Sequence, residues 1–142
     1  MQSQPNNIDK INLRIEALKR YLRRLEELRT TDANTLIKNE DLAAVVEHRL
    51  HLAIEACIDI AELIIVDQSL KTPGSYRETI EILGSSGVID RQFAQQFSNA
   101  VSFRNILIHD YVNVDYHKVA QYLKENLKDF HRFIKEVLAY LK

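Results

Sequence analysis

Residues 40–68 read EDLAAVVEHRLHLAIEACIDIAELIIVDQ. Two patterns are interleaved in this stretch. Leu42, Val45, Val46, Leu50, Ala53, Ile54, Ala56, Cys57, Ile60, Ala61, Ile64 and Ile65 recur at helical steps, but over too wide an arc for a helix with one buried face. The stretch therefore predicts a long helix contacted on several sides. The second pattern is a polar row, His48, His51, Glu55, Asp59 and Glu62, in steps of three and four. Such a row either faces water or lines an internal cleft.

The flanks supply helices to pack around it. Ile8, Ile11, Ile15, Leu18, Leu22, Leu25 and Leu28 form one amphipathic stripe. Capping and turn residues from Thr30 to Asn39 predict a chain reversal. Lys71-Thr72-Pro73-Gly74 breaks the chain again. Ser75 then caps a short helix, with Glu78 at the capping-box position, and Gly84 to Gly87 end it. Asp90 caps a helix expected to run to Ile108. Asp115 caps the last one, whose stripe is Val119, Leu123, Leu127, Phe130, Ile134, Val137 and Leu141. No stretch shows strand alternation. The expected fold is all-α, an up-down helical bundle of four long helices plus one short helix, in a single domain over 1–142.

The chain has 142 residues and a net charge of −1, which gives no global attraction to nucleic acid. The charge is uneven, however: residues 1–38 hold eight Lys/Arg against five Asp/Glu, and residues 39–70 one against seven. A basic first helix suits either RNA phosphates or plain solvation. The one cysteine, Cys57, lies in an apolar run and is expected to pack. With no signal-like start and no bilayer-length apolar run, a cytoplasmic location without membrane attachment is expected.

One stretch concentrates chemistry: Arg104-Asn105-Ile106-Leu107-Ile108-His109-Asp110-Tyr111. On a continuous helix, Arg104 shares a face with Phe93, Phe97, Val101 and Ile108, where an unpaired guanidinium is costly. It should therefore lie within salt-bridge reach of Glu55, Asp59 or Glu62. Ser98, Ser102, Asn105 and His109 form a second, polar row. His109 lies roughly 140° around the axis from Arg104, so the two border one groove only at a helix end or across a pair of copies. The imidazole is the candidate acid or base, and the guanidinium the candidate phosphate holder. The alternative is a helix-end histidine beside an arginine paired for structural reasons. His51, Glu55 and Asp59 share a face, yet no second helix offers a matching Glu-x-x-His, so no metal site is assigned.

Arg104, four residues, His109, one residue and Tyr111 make an Arg-x4-His-x-Tyr motif that resembles HEPN-domain ribonuclease toxins of the HepT type. The likeness extends through Arg49-Leu50 with Leu52–Ala61, Ser75-Tyr76-Arg77-Glu78, Gly87-Val88-Ile89-Asp90 and Phe103-Arg104-Asn105. Asp110 stands where relatives more often carry glycine.

The resemblance implies a toxin of a toxin–antitoxin pair: an endoribonuclease cutting cellular RNA, tRNA or mRNA, with no cofactor or metal and a 2′,3′-cyclic phosphate product. It implies catalytic roles for Arg104 and His109, and modification of Tyr111 with AMP by a cognate nucleotidyltransferase antitoxin. It also implies a homodimer with a shared groove. Asn105, Ser102, Glu55 and Asp59 are the expected supporting residues. A non-catalytic, nucleotide-binding HEPN partner of a nucleotidyltransferase is the other reading.

Overall fold

The computed structural model describes residues 7–109 and 114–142; of Ile106, Ile108 and His109 only the backbone is described. The described residues form helices α1 (Asn7–Glu27), α2 (Ala33–Lys38), α3 (Glu40–Asp67), α4 (Tyr76–Ser85), α5 (Arg91–Phe97), α6 (Asn99–His109), α7 (Tyr116–Glu125) and α8 (Leu127–Leu141). No strand occurs among them. The fold is all-α, as expected, but more finely divided than four long helices and a short one.

The width of the apolar arc on α3 explains its place. It packs against α1, α2, α4, α6 and α8, and 12 of its 28 residues are buried, the largest share of any long helix. Cys57 is buried and unpaired, and burial pushes its thiol well above the usual range. From α1, Ile11, Ile15, Leu18, Leu22 and Leu25 enter the same core, whereas Ile8 at its start is exposed. Phe97 stacks on Phe93 and Phe133 and meets Phe130 edge-on, joining α5 to α8.

Three departures from the expected segmentation have local causes. Between Thr30 and Asn39 the chain forms a short helix as it turns. Asp32 caps α2 by accepting from the Thr35 amide at 2.8 Å, and Asn39 caps α3 by accepting from the Leu42 amide at 3.0 Å. The expected helix from 90 to 108 is divided at Ser98. The Ser98 hydroxyl donates to the Gln95 carbonyl at 2.7 Å, and Arg77 donates to the Ser98 carbonyl at 3.5 Å. Both contacts compete with the regular helical ladder. The last helix is divided at Asn126, whose side-chain amide donates to Asp129 at 3.1 Å. The apolar stripe continues across this break: Val119 and Leu123 on α7 and Leu127, Phe130, Ile134 and Val137 on α8 are all buried.

Where α4 meets α5 the backbones come close. A Cβ built on Gly84 would lie 2.4 Å from the Ala94 Cβ. This contact fixes α4, and with it Tyr76 and Arg77 at its first turn, relative to the α5–α6 arm.

Candidate functional site

Helices α3 and α6 pack together, and the polar row of α3 faces Arg104 on α6. Only 13% of the Arg104 side chain is exposed. Its Nε donates to Glu55 Oε1 at 2.6 Å and its Nη2 donates to the same oxygen. Its Nη1 donates to Asn105 Oδ1 at 3.3 Å. A guanidinium has five N–H donors; the two not used here, one on each terminal nitrogen, meet no acceptor among the described residues. Tyr76 at the start of α4 completes the setting, with the Arg104 guanidinium carbon 5.2 Å from its ring centroid. That contact is a cation–π interaction across a partly wet surface.

Glu55 therefore answers which carboxylate pairs with Arg104. The oxygen that receives the guanidinium also lies 3.2 Å from His51 Nε2, so Glu55 joins two cationic or potentially cationic groups on one side of the cleft. Asp59, one turn further along, faces Arg14 at 3.9 Å instead. Burial pushes the Asp59 carboxyl up; Arg14 and Arg104 partly oppose this, and Glu55 adds to it. Glu62 is pushed up by burial first and then by Asp59 and Glu55. The row thus behaves as one acidic strip in which each charge makes the next harder to form. Among the described residues, no group of three or more His, Cys, Asp or Glu side chains is placed to hold a metal ion.

Beside Arg104 runs an open cleft of about 670 Å³ lined by Glu62, Tyr76, Arg77, Thr79, Ser102 and Asn105, among others. The polar row expected on α6 divides here. Ser102 and Asn105 are exposed and line the cleft, whereas Ser98 is fully buried at the helix break. Phe103, on another side of α6, is buried and stacks on Tyr122 with centroids 4.1 Å apart. This stack ties α6 to α7. His109 is the last described residue of α6. The site expectations on the His109 side chain and on Tyr111 lie outside the described residues.

Two residues of this site carried no sequence signal as site residues. Tyr76 is separated from Arg104 in the chain and is joined to it by packing alone. Arg77 faces the helix break at Ser98 and the same cleft, and pairs with Glu81 at 3.1 Å.

Comparison with known proteins agrees with this fold. The family profile described as Ribonuclease HepT-like matches residues 18–137. The mRNA nuclease HepT of Shewanella oneidensis is 30% identical over 126 residues, 89% of this chain and 94% of that protein. The tRNA nuclease HepT of Aphanizomenon flos-aquae is 26% identical over 133 residues, 92% of this chain and 89% of that protein. A solved structure of the tri-AMPylated Shewanella oneidensis HEPN toxin in complex with MNT antitoxin superposes with a TM-score of 0.82. It is 29% identical, covering 91% of this chain and 96% of that one. With the profile matched over most of its length, the chain belongs to the Ribonuclease HepT-like family.

Proposed function

We propose that this chain is the toxin of a toxin–antitoxin pair, a metal-independent endoribonuclease acting on cellular RNA in the cytoplasm. The observation that carries the reading is Arg104. It is an almost buried guanidinium held by Glu55, with two N–H donors that meet no acceptor among the described residues, beside an open cleft in a HepT-like fold. This arginine is oriented by a carboxylate and, among the described residues, has a donor on each terminal nitrogen without an acceptor, suited to a phosphate.

In the mechanism proposed, Arg104 binds the scissile phosphate and stabilises the charge that builds on it. His109 takes the proton from the ribose 2′-hydroxyl. The 2′-oxygen attacks phosphorus, the bond to the 5′-oxygen breaks, and that oxygen takes the proton returned by the His109 imidazolium and leaves as a 5′-hydroxyl. The other fragment retains a 2′,3′-cyclic phosphate. No step requires a cation. Glu55 fixes the direction of the guanidinium, and Asn105 fixes its outer edge. Ser102 lines the cleft, and Asp59 extends the acidic strip that keeps the α3 face polar.

The assembly proposed is a homodimer whose groove contains both copies of Arg104, His109 and Tyr111. Leu13 and Val66 support it: they are 66% and 70% exposed and line one cleft between α1 and α3, beside Asp59 and Glu62. Exposed apolar side chains flanking a polar site suit a partner copy. The partner proposed for regulation is a nucleotidyltransferase antitoxin that attaches AMP to Tyr111. The added phosphates would bring negative charge toward Arg104 and exclude RNA.

The test is incubation of RNA with the purified protein, with Arg104→Ala and with His109→Ala, in the presence and absence of a chelator. Cleavage by the unmodified chain alone, insensitive to chelation and leaving cyclic phosphate ends, is expected. Loss of activity with EDTA and its return with Mg²⁺ would reject the metal-free chemistry. Nucleotide binding without any cleavage would instead favour a non-catalytic partner of a nucleotidyltransferase. A monomer that still cuts RNA would reject the shared groove.

A further inference from the structure

We infer that Tyr76 is a stacking platform for a base of single-stranded RNA, placed so that one nucleotide reaches both its ring and Arg104. The inference rests on the ribonuclease reading above and adds to it a subsite with a stated ligand.

Three features place it. Tyr76 is a large aromatic residue left 52% exposed at the first turn of α4, though its neighbours Thr79 and Ile80 are buried. Beyond its contact with Arg104, the exposed part of this ring is apolar area available for a ligand. Next, its ring lies 5.2 Å from the Arg104 guanidinium carbon, so a phosphate held by Arg104 would be a close neighbour of a base on the ring. Last, the ring lines a cleft together with groups that suit a base edge. Ser102 and Asn105 are exposed on α6 and carry a hydroxyl and an amide, both able to donate and accept. The cleft, about 670 Å³, has the size of a small-ligand site.

This combination of a planar aromatic surface, a cation for the backbone and hydrogen-bonding side chains is how unpaired bases are held. It predicts a preference for single-stranded segments, because a base within a duplex has no free face to stack on Tyr76. It also limits sequence selectivity: stacking accepts every base, and discrimination falls to Ser102 and Asn105.

The test uses binding to an RNA that cannot be cut. A fluorescein-labelled oligoadenylate, 2′-O-methylated throughout, lacks the attacking hydroxyl. The same backbone with abasic sugars lacks the stacking partner. Fluorescence anisotropy should show the protein preferring the base-bearing strand by about tenfold, or about 1.4 kcal/mol. Tyr76→Phe should retain the preference. Tyr76→Leu, which keeps bulk but has no π-face, should lose it while binding the abasic strand unchanged.

A preference that survives Tyr76→Leu overturns the inference, as does equal binding of both strands, or of neither, by the unmodified chain. Equal loss on both strands in Tyr76→Leu means that Tyr76 acts only through Arg104, and also overturns it. Cleavage of unmethylated RNA is scored separately. Its absence rejects the ribonuclease reading, while anisotropy still decides the subsite.

Discussion

Removing Glu55 tests the pair on which the site depends. Breaking a buried ion pair by deleting one member costs ~3–5 kcal/mol, because the survivor is left charged and desolvated. Here the Arg104 side chain is 13% exposed but that of Glu55 is 32% exposed, so water screens one end. Arg104 also retains Asn105 and the Tyr76 ring. These reduce the expected loss for Glu55→Ala to about 2 kcal/mol. Glu55→Gln keeps an acceptor oxygen but no charge and should lose about 1 kcal/mol. For a chain of this size the corresponding falls in Tm are about 6 °C and about 3 °C.

Urea unfolding of Glu55→Ala, Arg104→Met and the double variant completes a cycle, with an expected coupling of about 1–2 kcal/mol. Met is chosen because it preserves most of the arginine stem in its apolar surroundings. A coupling within ~0.3 kcal/mol of zero, or a Glu55→Ala protein as stable as the unmodified chain, would refute the claim that Glu55 holds Arg104 against burial.

Asp59→Asn tests the acidic strip. Burial raises the folded pKa of Asp59, so between its unfolded and folded values the native state binds more protons and stability falls as pH rises. Asp59→Asn should therefore be the more stable protein near neutral pH. That advantage should close as pH falls through the carboxylate range, read as Tm against pH; an advantage that grows on acidification would reverse the sign. Gly84→Ala should destabilise by about 1–2 kcal/mol, since overpacking against Ala94 outweighs the roughly 1 kcal/mol gain in helix propensity. Ala94→Gly in the same chain should recover most of the loss in urea unfolding. Tyr111→Phe, provided it cuts RNA alone, should remain toxic when the antitoxin is co-expressed. If such a protein is silenced as well as the unmodified chain, control through Tyr111 is excluded.

The helix at the centre of the fold was legible because its sequence holds two incompatible requirements, a wide apolar arc and an unbroken polar row. Only a helix surrounded by others, with one cleft along its side, satisfies both. The breaks at Ser98 and Asn126 were not legible, for the same physical reason in each case. Neither position carries the glycine or proline that ends a helix by local conformation. At Ser98 the carbonyl is drawn out by Arg77, a residue 21 positions away. At Asn126 a side-chain amide turns to Asp129 instead of continuing the pattern. Both are contacts added on top of a sequence that remains helical in its apolar spacing, which is why the buried stripe of α7 and α8 passes through the break.

The candidate site divides along the same line. That Arg104 needed a carboxylate followed from its place in the core. That the carboxylate is Glu55 rather than Asp59 or Glu62 depends on the height at which α6 crosses α3, which packing sets and periodicity does not. Breaking the helix at Ser98 removes Phe93 and Phe97 from Arg104's own helix, yet Arg104 remains mostly buried, because α3 rather than α5 covers it. The same crossing makes Glu55 shared. Its one oxygen serves Arg104 on α6 and His51 on its own helix, and a shared acceptor cannot follow either group far. The guanidinium is thereby held against Asn105 and the Tyr76 ring, two residues that line the cleft. An arginine positioned in this way has its charge partly balanced before any ligand arrives. What it would offer a phosphate is direction, through two N–H groups that meet no acceptor among the described residues, more than net attraction.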